Sequence, residues 1–141
     1  MNREQFDIKI RAVEGGVTAA GGFKAAGIHA GFRKDPERLD YALVVPNEPC
    51  PGAGVFTTNR FCAAPVQISR ANLGGADKGY GIIAGVSINS GNANAATGET
   101  GLACARETCN IASQIIGCEP QQILVASTGV IGQILPIDTF E

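Results

Sequence analysis

The order of apolar patterns along the chain predicts a layered α/β fold of the α+β kind, in which antiparallel strands precede a strand–helix–strand unit. Three observations carry this expectation. Residues 39–57 hold two apolar runs separated by a proline-rich loop, the pattern of an antiparallel hairpin. Two further apolar runs, residues 81–89 and 123–126, bracket a long stretch with helical periodicity. Glycine makes up 19 of 141 residues and falls in discrete clusters, which mark junctions between elements rather than a repeat.

Taken in order, residues 17–32 (VTAAGGFKAAGIHAGF) carry Gly21, Gly22, Gly27 and Gly31. So many glycines argue against a helix, and the segment reads as short bent strands around a Gly-Gly turn. Residues 33–38 (RKDPER) form a charged turn built on Asp35-Pro36. Residues 39–45 (LDYALVV) read as a strand ended by Pro46, residues 47–52 as a rigid loop, and residues 53–57 (AGVFT) as the returning strand. Residues 65–73 start a helix at Pro65 that Gly74-Gly75 ends. Residues 81–89 (GIIAGVSIN) have too little polarity for a half-exposed edge and read as one buried strand.

The strongest pattern follows. Leu102, Ala105, Cys109, Ala112 and Ile116 recur at spacings of 3, 4, 3 and 4, which is one face of a helix over residues 99–117. Thr97 or Thr100 is placed to cap it, Glu99 sits near its positive end, and Gly117 closes it. Its small buried face predicts close packing on a sheet. Pro120 leads into a buried strand at residues 123–126 (ILVA), and residues 127–132 (STGVIG) read as a glycine-bounded turn. Leu135-Pro136-Ile137 begins a further element, and residues 138–141 resemble the first turn of a helix. A first turn alone is an unusual helix, so residues 1–141 are expected to be an incomplete piece of a larger protein.

Composition bounds the function. Hydrophobic residues make up 45% and charged residues 17%, which suits a packed core and not disorder. With 11 basic and 13 acidic residues and no basic run, the chain has no electrostatic footprint for nucleic acid or an anionic membrane. No apolar stretch approaches the roughly 18 residues that span a bilayer, and residues 1–9 lack the apolar core of a secretory signal. The cysteines at 50, 62, 104, 109 and 118 are odd in number, and none are spaced as a zinc or redox pair. They read as reduced thiols of a cytoplasmic protein, packed as small hydrophobes. His29, the single histidine, lies in a glycine-rich strand and reads as a hydrogen-bonded structural residue.

No G-x-S-x-G elbow, phosphate-binding glycine loop or dinucleotide turn occurs, and no metal or organic cofactor is implied. Two loops remain. NSGNANAATG (residues 89–98) joins a buried strand to the main helix and offers neutral donors and acceptors. It could wall a site for a polar substrate, or be a turn whose asparagines satisfy their own backbone. Ser127-Thr128-Gly129 follows an apolar strand, a rigid mount that would leave a backbone N–H open to a docked group. Acyl transfer needs donors fixed where an oxyanion develops, although Thr-Gly after a strand is also a common turn.

Taken together, GVTAAGGFKAAGIHAGFR, DYALVV, GAGVFTTNRFCAAPVQISR, INSGNANAATGETGLACA and ILVASTGVIGQILPI resemble, in this order, the ornithine acetyltransferase family of arginine-biosynthetic glutamate N-acetyltransferases. The resemblance runs from about Gly15 to the last residue. It implies an αββα sandwich and a precursor that cuts itself before an internal threonine into α- and β-chains, usually assembled as α2β2. That threonine becomes the nucleophile, with its own α-amine as base, and carries acetyl from N-acetylornithine to glutamate in a ping-pong reaction. Some members also accept acetyl-CoA as co-substrate. Carried onto this sequence, the resemblance places the oxyanion-hole pair at Thr128 (hydroxyl) and Gly129 (backbone N–H). It puts the nucleophile and the substrate-binding threonine and lysine beyond Glu141, and residues 89–95 at the rim of the site. Thr57, Thr58, Thr97 and Thr100 do not stand in the nucleophile's motif. The chain is thus expected to be the N-terminal part of an α-chain, inactive alone. Two other readings stay open: a self-processing aminopeptidase of similar fold, and a non-catalytic remnant or binding partner.

Overall fold

In the computed structural model, which describes residues 10–75 and 77–140, the main sheet has the strand order β1-β2-β5-β6. Its strands are β1 (Phe23–Ile28), β2 (Tyr41–Pro46), β5 (Gly85–Asn92) and β6 (Ile123–Val130), and a small second sheet pairs β3 (Cys50–Ala53) with β4 (Tyr80–Ile83). Two helices, α1 (Ala64–Asn72) and α2 (Gly98–Ile116), pack on the main sheet. This is the layered α/β arrangement expected from the pattern. The readings made for residues 1–9 and for Glu141 lie outside the described residues.

β1 pairs antiparallel with β2, and β2 antiparallel with β5, while β5 and β6 run parallel with α2 as the connection between them. A parallel pair requires such a crossover. The expected hairpin over residues 39–57 does not form. β2 has β1 on one side and β5 on the other, so no free edge is left for the next segment. β3 pairs with β4 instead, and residues 54–57 are not strand. The apolar run at residues 81–89 is likewise not one strand. It divides at Ala84, whose N–H donates to the Gln122 carbonyl (2.8 Å), so that β4 joins the small sheet and β5 the main one. A third departure is at residues 16–19, which form a 3₁₀ turn instead of a strand, with the Thr18 hydroxyl on the Gly15 carbonyl (2.8 Å).

α2 follows its sequence pattern closely. Ala105, Cys109 and Ala112 are buried, with Leu102 and Ile116 packed at the margins. They meet Ile123 and Val125 of β6 and Ala64 and Ile68 of α1. The small face lets the helix come near: a Cβ on Gly85 would stand 2.7 Å from Cδ1 of Ile116. Gly117 closes α2 in the left-handed region (φ 81°), its N–H on the Ser113 carbonyl. The N-terminus departs from expectation. Thr97 occupies the cap position, but its hydroxyl donates to Oδ1 of Asn94 (2.8 Å) and does not cap the helix.

α1 solves a second problem. β6 is the last strand of the sheet, and an open edge leaves unpaired N–H and C=O groups. Ser69, buried on α1, donates its hydroxyl to the Val125 carbonyl (2.8 Å) and accepts the Val125 N–H (2.9 Å). One turn on, Nδ2 of Asn72 donates to the Ile123 carbonyl (2.7 Å). The helix supplies by side chains what a neighbouring strand would supply by backbone. Strand alternation turns Val44, Val86 and Leu124, which are aligned in register, toward the opposite face of the sheet, where they stay half-buried.

Candidate active site

The two loops singled out in the sequence form one structural feature. β6 does not end at ILVA but continues through Ser127 to Val130, and β5 continues through Asn89 to Asn92. The strands run side by side with Asn89 opposite Ser127, Ser90 opposite Thr128 and Gly91 opposite Gly129. The reading of residues 127–132 as a turn is therefore corrected for its first four residues, which are strand. Backbone pairing with β5 extends this strand past the point where its apolar side chains stop.

Two glycines make this pairing possible. Gly129 has φ +134°, and a Cβ there would run into the backbone of Gly91 and Asn92. Gly91 has φ +107°, and its Cβ would stand 2.8 Å from the Phe32 carbonyl oxygen. Only glycine fits both the angles and the contacts. A register shift follows at Asn92, which pairs with both Thr128 and Val130. Thr128 and Gly129 themselves are exposed, and no side-chain hydrogen bond among the described residues engages the Thr128 hydroxyl. The arrangement presents a hydroxyl and a glycine main chain on a mounted strand end.

Three buried asparagines build the surroundings. Asn89 donates through Nδ2 to the Asn92 carbonyl (2.8 Å). Asn92 donates to the carbonyls of Gln133 (3.1 Å) and Ile134 (3.0 Å), and its Oδ1 accepts the Asn94 N–H (2.7 Å). Asn94 donates to the Gly101 carbonyl (2.9 Å) in the first turn of α2. The three side-chain amides are spent on backbone carbonyls: those of Asn89 and Asn94 on carbonyls three and seven residues on, that of Asn92 on residues 133–134. The segment nonetheless lies directly against Thr128 and Gly129.

A further support was not visible in the sequence. Asp40, 2% exposed, accepts the N–H groups of Ala30 (2.6 Å) and Arg33 (2.7 Å) and lies 3.3 Å from Nδ1 of His29. Burial alone would raise its pKa, but those N–H donors, His29 and the Phe32 N–H together hold it below the ordinary carboxylate value. Nε of Arg33 then donates to Oγ of Ser90 (3.0 Å), so the turn at residues 30–40 is fastened onto the end of β5. His29 also contacts the Arg38 carbonyl (3.0 Å), the structural role expected for it. Asp40 reads locally as an ordinary strand residue, and nothing nearby signals its partners.

A cavity of about 420 Å³ opens beside this strand end, lined by Arg60, Phe61, Gln67, Thr97, Glu99 and Ile131 among others. Thr128 and Gly129 do not line it. The five cysteines are unpaired, and burial pushes the Cys109 thiol up to about 11, which leaves it a poor nucleophile. Among the described residues no cluster of His, Cys, Asp or Glu could hold a metal ion, and no helix is long and apolar enough to cross a membrane.

Residues 24–141 match the model of the ArgJ family. The chain belongs to the ArgJ family. It is 46% identical over 126 residues to the arginine biosynthesis bifunctional protein ArgJ of Dehalococcoides mccartyi, covering 89% of this chain and 30% of that protein. It is 50% identical over 123 residues to the ArgJ protein of Bifidobacterium longum, covering 86% of this chain and 30% of the relative. The chain thus spans about 30% of the length of these ArgJ relatives. The crystal structure of the Bacillus halodurans ArgJ protein superposes with a TM-score of 0.79 at 35% identity, over 89% of this chain and 63% of that one. The Mycobacterium tuberculosis ornithine acetyltransferase, solved in complex with ornithine, superposes with a TM-score of 0.76 at 38% identity, over 88% and 64% of the two chains. Membership bears out the resemblance carried by the sequence motifs and the layered α/β fold expected from them.

Proposed function

We propose that this chain is the N-terminal part of the α-chain of an acetyltransferase of arginine biosynthesis, and that it contributes the oxyanion hole. The observation that carries this reading is the exposed Thr128–Gly129 pair on a strand end locked against Gly91, in a chain of the ArgJ family. The half-buried apolar face of the main sheet supports its being one layer of a larger αββα sandwich.

In this reading a threonine hydroxyl outside the present chain, giving its proton to that threonine's own α-amine, attacks the acetyl carbonyl of N-acetylornithine. The carbonyl oxygen becomes an oxyanion, which the Thr128 hydroxyl and the Gly129 N–H receive. The tetrahedral intermediate collapses with the ornithine amine leaving, protonated by the threonine's own α-amine, and an acetyl ester remains. The amine of glutamate attacks this ester through the same oxyanion position, releasing N-acetylglutamate and the free threonine. Acetyl-CoA could load the same ester by losing its thiol. The threonine would be the first residue of a β-chain cut from the same precursor, with α2β2 assembly in the cytoplasm.

The test uses the full-length gene product. With one oxyanion donor removed, Thr128→Ala should lower kcat for acetyl transfer from N-acetylornithine by about 10²–10³-fold, while Thr128→Ser retains most of it. If Thr128→Ala turns over within a factor of about two of the parent, the side-chain donor assignment is wrong.

A further inference from the structure

We propose that Asn92 is a positioning residue that fixes where Thr128 and Gly129 stand, a role that rests on the oxyanion function given to that pair. Asn92 is 2% exposed and carries no charge. Its backbone sits at the register shift between β5 and β6, paired with Thr128 on one side and Val130 on the other. Its side chain reaches the far end of the same segment, where Nδ2 donates to the carbonyls of Gln133 and Ile134. Its remaining polar atoms are held in turn: Oδ1 by the Asn94 N–H, and the main-chain oxygen by Nδ2 of Asn89. One residue therefore grips residues 128–134 where they leave the strand and where they return.

Main-chain bonds also hold this segment. The Ala93 N–H donates to the Val130 carbonyl (2.9 Å), and the Gly132 N–H to the Ala95 carbonyl (2.8 Å). These bonds need no particular side chain and stop at Gly132. At the return, among the described residues, the side-chain hydrogen bonds to the carbonyls of residues 133 and 134 come from the Asn92 amide, with the Cys104 thiol following at the Leu135 carbonyl (3.7 Å). An asparagine suits the task because it offers two donors and an acceptor without a charge that would compete with a developing oxyanion.

A buried asparagine with every polar atom satisfied also stabilises the fold, so the test must separate position from stability. In the full-length enzyme, with turnover normalised to the self-cleaved fraction and assayed well below each variant's melting temperature, Asn92→Ala should lower kcat on the order of 10²-fold and leave KM within about threefold. Repeated in a Thr128→Ala background, the same substitution should cost clearly less, because part of what it misplaces is already gone. An equal factor in both backgrounds overturns the positioning role, as does an unchanged kcat. Should Asn92→Ala not fold, Asn92→Asp carries the test. It keeps the acceptor for Asn94 but sets an oxygen against two carbonyls, and regains a donor only when protonated. Its kcat relative to the parent enzyme at the same pH should rise as pH falls, and a flat ratio overturns the role. Thr128→Ala at parental turnover overturns the Thr128 donor assignment and this proposal with it. Thr128→Ala impaired beside Asn92→Ala at parental kcat overturns this proposal alone.

Discussion

Gly129→Ala is the sharpest perturbation this geometry offers, because two separate costs fall on one methyl group. The backbone at residue 129 sits at φ +134°, where an L side chain is strained, at a cost of about 1–3 kcal/mol. The new Cβ would overlap main-chain atoms of Gly91 and Asn92, which cannot swing aside as a side chain would. β5 and β6 must then part at their last in-register pairs, giving up one or two ladder hydrogen bonds at about 1 kcal/mol each. The sum, about 2–5 kcal/mol, is a large share of a typical stability of about 5–15 kcal/mol. The same movement displaces the Thr128 hydroxyl and the residue 129 N–H, so kcat should fall by at least the roughly 10²–10³-fold lost with one oxyanion donor. Gly132→Ala is the control: Gly132 also has positive φ (+79°), but its Cβ would meet nothing within 4 Å. It should show strain alone, about 1–2 kcal/mol. Thermal melting and steady-state acetyl transfer on the full-length protein read both effects. If Gly129→Ala matches Gly132→Ala in melting temperature and keeps kcat within about twofold of the parent, the contact with Gly91 does not constrain the site.

Two further outcomes concern the supports of the strand end. Ser69→Ala leaves the buried N–H and C=O of Val125 without their partner and should destabilise the full-length protein by about 2–3 kcal/mol in urea unfolding; a change below about 0.5 kcal/mol would mean that water serves that edge equally well. Asp40 has a folded-state pKa below its ordinary value, so its contribution is complete above about pH 4 and is lost as pH falls through the folded value. Stability should drop on acidification below about pH 4, and more steeply in the parent than in Asp40→Asn; parallel profiles would remove Asp40 from the account.

The sequence was most legible where one face of an element decides its fate. α2 follows from Leu102, Ala105, Cys109, Ala112 and Ile116, and its end from Gly117, because helix periodicity and a left-handed cap are local properties. Strand partners are not local. GIIAGVSIN reads as one strand, yet the ladder divides it at Ala84, since the N–H of that residue turns to Gln122, distant in sequence. The hairpin expected over residues 39–57 fails for the same reason: β2 is claimed on both sides by β1 and β5. At the candidate site, Thr128 and Gly129 were marked by family resemblance, whereas their true setting in a strand depends on pairing with Asn89 to Asn92. Arg33 and Ser69 gave no signal, because each works through a partner far along the chain, and Asp40 gave none because it works on backbone N–H groups of its own turn, which no residue type marks.

What stiffens the strand end is a set of mostly neutral groups applied from three directions. Ser69 and Asn72 hold the base of β6 from α1, Asn92 at the end of β5 holds residues 133–134 beyond its tip while Asn94 braces Asn92 against the start of α2, and Arg33 ties Ser90 on β5 to the turn that Asp40 organises. The ionised members, Arg33 and Asp40, act on β5 and leave amides and hydroxyls alone in contact with β6. In the role proposed for Thr128 and Gly129, a donor pair that receives a transient negative charge gains from this arrangement. The side chains bonded to β6 and to residues 133–134 (Ser69, Asn72 and Asn92) bring no carboxylate against the oxyanion. The dipoles are already oriented before charge develops, which is the condition under which fixed donors lower a barrier instead of reorganising to meet it.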